Sequence, residues 1–192
     1  MQIHQAQRDV RLIYVGGFFG QLVSGILWLG AAAAGAFSSA TVAIAILLLG
    51  GILIFPLTML CLRLTGRPAS LPAGHPMAGL AMQIAFTVPL GLLVALAVTG
   101  YRLDWFFPAA MVIVGAHYLP FVFLYGMRLY AALAGILAGG GVVLALWGPS
   151  MFSLGGWITG GVLVAFAFLL RAAVRAELAT SAPGTMDPGP GR

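Results

Sequence analysis

The sequence carries very little charge for its length, and this shortage decides the class of protein. Charged residues make up 7% of the 192 residues, whereas ordinary soluble domains carry roughly 25%. Hydrophobic residues make up 61%. A soluble fold of this size has too little interior to hide that much apolar surface, because folded proteins keep much of their surface exposed. The composition therefore indicates a protein that lies in a lipid bilayer.

Lysine is absent, and cysteine, histidine and acidic residues are few. Without lysine there is no phosphate-binding loop of the Gly-Lys-Ser type. Cys61 is alone, so it forms no intramolecular disulfide. His4, His75 and His117 form no spaced cluster with it, so no zinc or di-metal site is predicted. The four acidic residues lie outside the long apolar stretches, which argues against a carboxylate-lined cation path.

Six apolar stretches meet or approach the roughly 20 residues that a helix needs to cross a bilayer. Because backbone polar groups must be satisfied within lipid, these stretches should be helices, and their lack of alternating polarity argues against a barrel. The fourth and fifth stretches almost touch at Arg128, so five spans is the alternative. We predict an all-α bundle of six transmembrane helices over residues 12–37, 41–62, 77–99, 105–127, 129–147 and 154–170.

The arginines predict how this bundle is oriented. With six spans, eight of the nine arginines fall on one side and Arg102 falls on the other. Basic residues that flank spans stay in the cytoplasm, so we expect both termini there. The location is then a cell inner membrane, with anionic lipid headgroups as partners of the arginine-rich side. The net charge of +5 is explained by topology, and no nucleic-acid partner is expected.

Two segments have compositions that do not suit a bilayer. Residues 66–76 contain three prolines and two glycines, which predicts an irregular connection with His75 in solvent. Residues 179–192 contain three prolines and three glycines with little apolar bulk. We expect them to be a disordered cytoplasmic tail after one transmembrane domain over residues 1–178.

Small residues recur at four-residue spacing, a pattern that lets membrane helices approach closely. Tight packing inside one bundle is the expected use, and a homo-oligomer interface is the alternative. The pattern occurs at Gly16, Gly20 and Ser24, at Gly135 and Gly139, and at Gly156 and Gly160.

Polar side chains lie at similar depths in four predicted spans, about 15 to 18 Å from the end of the span on the arginine-rich side, at 1.5 Å per residue. Gln21, Ser24 and Trp28 share one helical face, and Gln83 shares another with Thr87. An ionisable residue inside a membrane is by default a functional hypothesis, so His117 is the main candidate. We expect a midplane polar layer made of His117, Tyr118, Gln21, Ser24, Gln83, Thr87 and Thr159.

Prolines lie within three predicted spans, at Pro56, Pro89 and Pro120. Each lacks an N–H and crowds the carbonyl four residues earlier, so each should kink its helix. The Pro120 kink would expose the Ala116 carbonyl beside the His117 ring. The alternative use of the layer is simple helix–helix adhesion, at about 0.6 to 2 kcal/mol per contact.

No catalytic arrangement stands out, and no cofactor is predicted. Ser24 with His117 comes nearest to an intramembrane serine protease, but the Gly-x-Ser-Gly setting is missing. Haem is the alternative cofactor; it would need His117 with Met82 or Met111 as its axial ligands. An enzyme is therefore not favoured.

One segment carries a family resemblance. Residues 115–120 read Gly-Ala-His-Tyr-Leu-Pro, followed by Leu124-Tyr125, and upstream lie Pro108 and the segment His75-Pro76-Met77-Ala78-Gly79-Leu80. This pattern resembles a family of small bacterial polytopic membrane proteins of unknown function, whose shared segment reads Gly-Ala-His-(Leu/Tyr)-Leu-Pro. His75 stands where the family usually has Asn. The resemblance implies a membrane location, with His117 and Tyr118 as the matching residues.

The two functional hypotheses are a transport, channel-like or small-ligand-binding module around His117, and a structural or regulatory subunit whose polar layer only holds helices together. A hydrated cavity lined by His117 and Gln83 would favour the first hypothesis. A dry and fully paired His117 would favour the second.

Overall fold

The computed structural model describes residues 2–180, and within them the chain is built from helices without strands. Six of the helices are long and apolar enough to span a membrane, so the predicted all-α, six-span architecture is confirmed. The helices are α1 (Ile3–Ile13), α2 (Phe18–Phe37), α3 (Ala40–Leu64), α4 (Ala78–Val98), α5 (Phe106–Tyr125), α6 (Leu129–Trp147) and α7 (Leu154–Thr180).

The five-span alternative is wrong because α5 and α6 are separate helices. Gly126 has a left-handed backbone, with φ of 64°, and this conformation ends α5 three residues before α6 begins. At the other end of the chain, α7 continues to Thr180, well beyond the predicted end of its span at residue 170. The remainder of the predicted tail, residues 181–192, lies outside the described residues.

The first span is not one continuous helix from residue 12, as its composition suggested. Val15, Gly16 and Gly17 all have positive φ angles, of 53°, 63° and 83°. Such angles suit glycine but strain a β-branched residue such as Val15. The Tyr130 hydroxyl donates to the Gly16 carbonyl at 2.8 Å and so satisfies a backbone group that the break exposes. The break separates the short helix α1 from the spanning helix α2.

The core consists of two closely packed helix pairs, α2 with α7 and α5 with α6. A Cβ at Gly25 of α2 would lie 3.1 Å from the Gly160 carbonyl of α7, and a Cβ at Gly115 would lie 2.5 Å from the Ala138 backbone nitrogen. Glycine at these crossings therefore allows backbone contact. By contrast, Gly135 and Gly139 have no neighbouring atoms within 4 Å of an added Cβ.

The remaining two spans lie at the outside of this core. Helix α3 packs mainly on α2, and α4 packs on α5, with few contacts between α3 and α4. Most of their large apolar side chains are exposed, as expected for helices that face lipid. Pro56, Pro89 and Pro120 lie inside α3, α4 and α5, respectively, and each of these helices continues past its proline.

Helix α1 covers one end of the core by bonding to free helix-end carbonyls. Gln7 Nε2 donates to the Phe123 carbonyl, and Arg11 Nη1 donates to the Tyr125 carbonyl, both at 2.6 Å. These carbonyls belong to the last turn of α5, where no intrahelical donor remains. Arg11 also binds the Glu177 carboxylate of α7 through two hydrogen bonds, at 3.0 and 2.9 Å.

The connection between α3 and α4 folds back against α1, so the expectation of a solvated His75 is wrong. His75 is only 9% exposed, and its Nδ1 accepts the Met77 backbone N–H at 3.2 Å. Its Nε2 lies 3.7 Å from an Asp9 carboxylate oxygen of α1. Burial of Tyr14, just before the break, raises the pKa of its hydroxyl and outweighs its bond to the Leu71 backbone.

We predict that Gly17→Ala destabilises the protein by roughly 2 to 4 kcal/mol, because a left-handed backbone penalises alanine and the Tyr130 hydroxyl must move. A Cβ added at Gly17 would overlap that hydroxyl. The measurement is the thermal unfolding midpoint of the purified protein in detergent. Gly139→Ala is the matched control, and it should be neutral or gain up to about 1 kcal/mol. Equal effects of the two substitutions would contradict the role of the break.

Candidate functional site

Three tyrosines and two smaller polar residues form a buried group at the α1 end of the core. We call this group, made of Gln21, Ser24, Tyr118, Tyr125 and Tyr130, the tyrosine cluster. All five residues are less than 10% exposed, and Tyr130 is fully buried. Ring centroids of Tyr130 lie 6.0 Å from Tyr118 and 5.1 Å from Tyr125. A buried hydroxyl needs a partner, so such a group is expensive unless its polar atoms find one another.

The helices bring these side chains together through simple periodicity. Tyr118 and Tyr125 are seven residues apart on α5 and therefore share a face. Tyr130 lies in the first turn of α6, directly after the tight turn at Gly126. Gln21 and Ser24 are three residues apart on the buried face of α2, as their spacing predicted.

Gln21 is the member of the cluster whose polar atoms are not fully satisfied. Its side chain lies beside the hydroxyls of Tyr118 and Tyr130, and Ser24 also lies beside Tyr118. Its Oε1 atom is buried and has no hydrogen-bond partner among the described residues. An unsatisfied buried polar atom costs about 1 to 3 kcal/mol. With the amide in this orientation, the cluster therefore contains an acceptor that no neighbouring group donates to.

The His117 ring packs edge-on against Tyr118 of the tyrosine cluster, with centroids 5.3 Å apart, but its hydrogen bond is to α4. Its Nδ1 is 2.7 Å from the Thr87 hydroxyl of α4, and that hydroxyl is also 2.8 Å from the Ile84 carbonyl. A hydroxyl has one proton to donate. When the Thr87 hydroxyl donates this proton to the Ile84 carbonyl, it must accept a hydrogen bond from His117 Nδ1–H. In that tautomer, Nε2 is the ring nitrogen that can accept a hydrogen bond. The ring packs on Phe121, with centroids 4.9 Å apart.

The single midplane layer expected from the sequence is not what the structure has. Gln83 is exposed, because α4 packs through Ile84, Leu92 and Ala95 instead. Thr159 is fully buried but donates to the Gly155 carbonyl of its own helix, at 2.8 Å. The remaining polar residues form the tyrosine cluster and the His117–Thr87 pair, which are joined by the ring contact between His117 and Tyr118.

The depth expected for Gln21 was counted along one straight helix from Arg11. The structure changes this depth. Helix α2 begins at Phe18, so Gln21 lies only about 5 Å along it. Tyr118 lies about 10 Å from the end of α5 at Tyr125 by the same rise. The tyrosine cluster thus extends from the arginine-rich end of the bundle, at Tyr125 and Tyr130, towards the middle of α5 at Tyr118.

The two methionines considered as haem ligands lie in different surroundings. Met111 is fully buried and lies against α7, where its sulfur would be 3.2 Å from a Cβ at Gly155. Met82 is largely exposed on α4. Across residues 2–180, no three His, Cys, Asp or Glu side chains are grouped closely enough to hold a metal ion.

Sequence reasoning missed Tyr125, Tyr130 and the Gly16 carbonyl as members of this region. The two tyrosines suited a membrane interface, where such rings are common. Tyr125 and Tyr130 flank the predicted α5–α6 turn, and seven-residue spacing from Tyr118 places Tyr125 on the same face. That spacing could have indicated the cluster.

The architecture and the buried polar groups together define a class of protein: a multi-pass, all-helical membrane protein with an internal polar cluster. The chain matches the model of the family of unknown function DUF7010 over residues 3–173, and it belongs to that family. No curated protein matches the chain, and no solved structure matches it.

We predict that Tyr130→Phe lowers stability by about 1 to 3 kcal/mol, because it removes the donor to the buried Gly16 carbonyl. Thermal unfolding in detergent measures this loss. Tyr101→Phe is the matched control, because Tyr101 is 81% exposed and should tolerate the loss of its hydroxyl. A Tyr130→Phe protein as stable as the control would show that the break does not depend on this bond.

A second prediction concerns the pair His117 and Thr87. In a double-mutant cycle with His117→Ala and Thr87→Val, we expect a coupling energy of about 0.6 to 1.7 kcal/mol, typical of interhelical hydrogen bonds in membranes. Thr99→Val serves as the control, because the Thr99 hydroxyl bonds only to the Leu96 carbonyl of its own helix. Zero coupling between His117 and Thr87 would rule out the bond.

Proposed function

We propose that this protein binds a small polar ligand within the bundle, as transport or channel-like proteins do, and that the tyrosine cluster is its binding site. The observation that supports this proposal is the buried Gln21 Oε1 atom without a donor. If the cluster served only to hold helices together, an apolar side chain of similar size would do so at lower cost. Polar atoms that the protein leaves unsatisfied are instead expected where a ligand or bound water completes them.

The chemistry of the cluster restricts the ligand. It contains no charged side chain, so a neutral molecule is expected. Gln21 Oε1 requires a donor N–H or O–H, while the tyrosine and serine hydroxyls can donate or accept. Flat aromatic rings surround this group, so a small molecule with an apolar face also fits.

Access from the arginine-rich end suits this role. The helical conformation is interrupted at residues 15–17, beside the tyrosine cluster. Irregular backbone at membrane depth is tolerated where it is buried in protein or lines a cavity. We place this end and both termini in the cytoplasm of a bacterial inner membrane, from the arginine distribution. We also propose that residues 115–120 are a segment shared across the family.

The competing proposal is a structural or regulatory subunit, and two observations favour it. The His117 Nδ1 is bonded to Thr87, and Thr159 is satisfied within its own helix. Both arrangements serve helix packing without any ligand. The two proposals make opposite predictions for Gln21.

Under the ligand proposal, Gln21→Leu leaves the ligand-free protein equally stable or more stable. The substitution removes an unsatisfied atom that costs about 1 to 3 kcal/mol, and it loses contacts worth about 0.5 to 1.5 kcal/mol. The thermal unfolding midpoint in detergent is measured with and without acetamide, a small neutral N–H donor. Acetamide should stabilise the wild type more than Gln21→Leu.

Gln7→Leu is the matched control, because Gln7 is also buried but its amide is bonded to the Phe123 carbonyl. This substitution should cost about 1 to 3 kcal/mol, since it leaves that carbonyl without its donor. If Gln21→Leu destabilises the protein as much as Gln7→Leu does, and acetamide acts equally on all variants, the subunit proposal replaces the ligand proposal.

A further inference from the structure

A shallow, largely open cavity of about 460 Å³ lies at the surface of the arginine-rich end of the bundle, apart from the tyrosine cluster. It lies between the α5–α6 turn and helices α1 and α7. Arg11, Arg128 and Glu177 form its charged lining. Met127, Leu129, Ala132 and Ala173 form its apolar lining.

The charges in the cavity do not balance. Arg11 is bonded to the Glu177 carboxylate. The Arg11 guanidinium also lies close to the α5–α6 turn, since a Cβ added at Gly126 would be 3.0 Å from Arg11 Nη1. The Arg128 guanidinium makes no hydrogen bond or ion pair with residues 2–180, although the Arg128 backbone carbonyl accepts from the first turn of α6. Two guanidinium groups and one carboxylate give the lining a net charge of +1. An anion would therefore complete it.

The position and the apolar lining restrict what that anion is. Arg128 lies at the boundary between two spans, the level at which lipid headgroups meet the protein. Met127 and Leu129 flank it directly in the sequence and line the same cavity. A ligand with a negative group beside an apolar part suits this lining better than a fully hydrated ion. Basic pockets at span ends are known to bind anionic lipid headgroups.

We propose that this cavity binds the phosphate group of an anionic phospholipid, with Arg128 as its hydrogen-bonding cation and Met127 and Leu129 against the glycerol and first acyl carbons. Guanidinium groups suit phosphate because their fork geometry allows two parallel hydrogen bonds. Arg11 remains with Glu177, and because this pair is neutral overall, Arg128 supplies the uncompensated positive charge. This proposal does not depend on the function of the tyrosine cluster.

The test uses the full-length protein in a non-ionic detergent, with phosphatidylglycerol, phosphatidylcholine or inorganic phosphate added at equal concentration. We expect phosphatidylglycerol to raise the unfolding midpoint on the order of 3 °C more than phosphatidylcholine does, as expected for a ligand well above its dissociation constant. Arg128→Gln should remove at least half of this difference, and Arg128→Lys should retain more of it. Native mass spectrometry should show correspondingly fewer phosphatidylglycerol molecules on Arg128→Gln.

Arg63→Gln is the control, because Arg63 is an exposed arginine near the same end that does not line the cavity. It should keep the full response to phosphatidylglycerol. The proposal is overturned if Arg63→Gln loses as much of the response as Arg128→Gln, or if the two lipids act equally. A response to inorganic phosphate equal to that of phosphatidylglycerol would instead identify a site for a soluble anion and reject the lipid.

Discussion

The hydrogen bond from the Tyr130 hydroxyl to the Gly16 carbonyl is the interaction on which the arrangement of this protein depends. A break in a helix exposes backbone groups, and a lipid bilayer offers them no water. The break at residues 15–17 is therefore stable only where the protein provides a partner. Because that partner comes from α6, the same bond fixes the position of α6 relative to α2 and places Tyr130 within the tyrosine cluster.

The break also gives α1 its role. A continuous helix would carry Gln7 and Arg11 away from the core along the axis of α2. Instead the chain turns, and both side chains reach carbonyls in the last turn of α5, where a positive charge is also favoured by the helix dipole. Glu177 then holds Arg11 from α7. Helix α1, together with the break that follows it, thus joins the neighbouring ends of α2, α5 and α7 beside the tyrosine cluster.

Hydropathy was sufficient to predict the six spans, because each span must cover the same bilayer thickness. The inward face of Gln21, Ser24 and Trp28 was also predictable from spacing. The break at residues 15–17 was not predictable, because a pair of glycines is as typical of closely packed helices as of a left-handed turn. Helix α1 could have been recognised, since Ile3, Ala6, Val10 and Ile13 recur at helical spacing among polar residues. The exposed position of Gln83 follows from packing of α4 that no local pattern reveals.

The proposed site requires Gln21 Oε1 to accept a hydrogen bond from a group that does not belong to the protein. An experimental density map of the full-length protein in a lipid nanodisc, detailed enough to show ordered water, tests this most directly. We expect non-protein density within about 3.2 Å of Oε1, enclosed by Tyr118 and Tyr130. An amide turned so that Oε1 accepts from a tyrosine hydroxyl, with no additional density in the cluster, would contradict it.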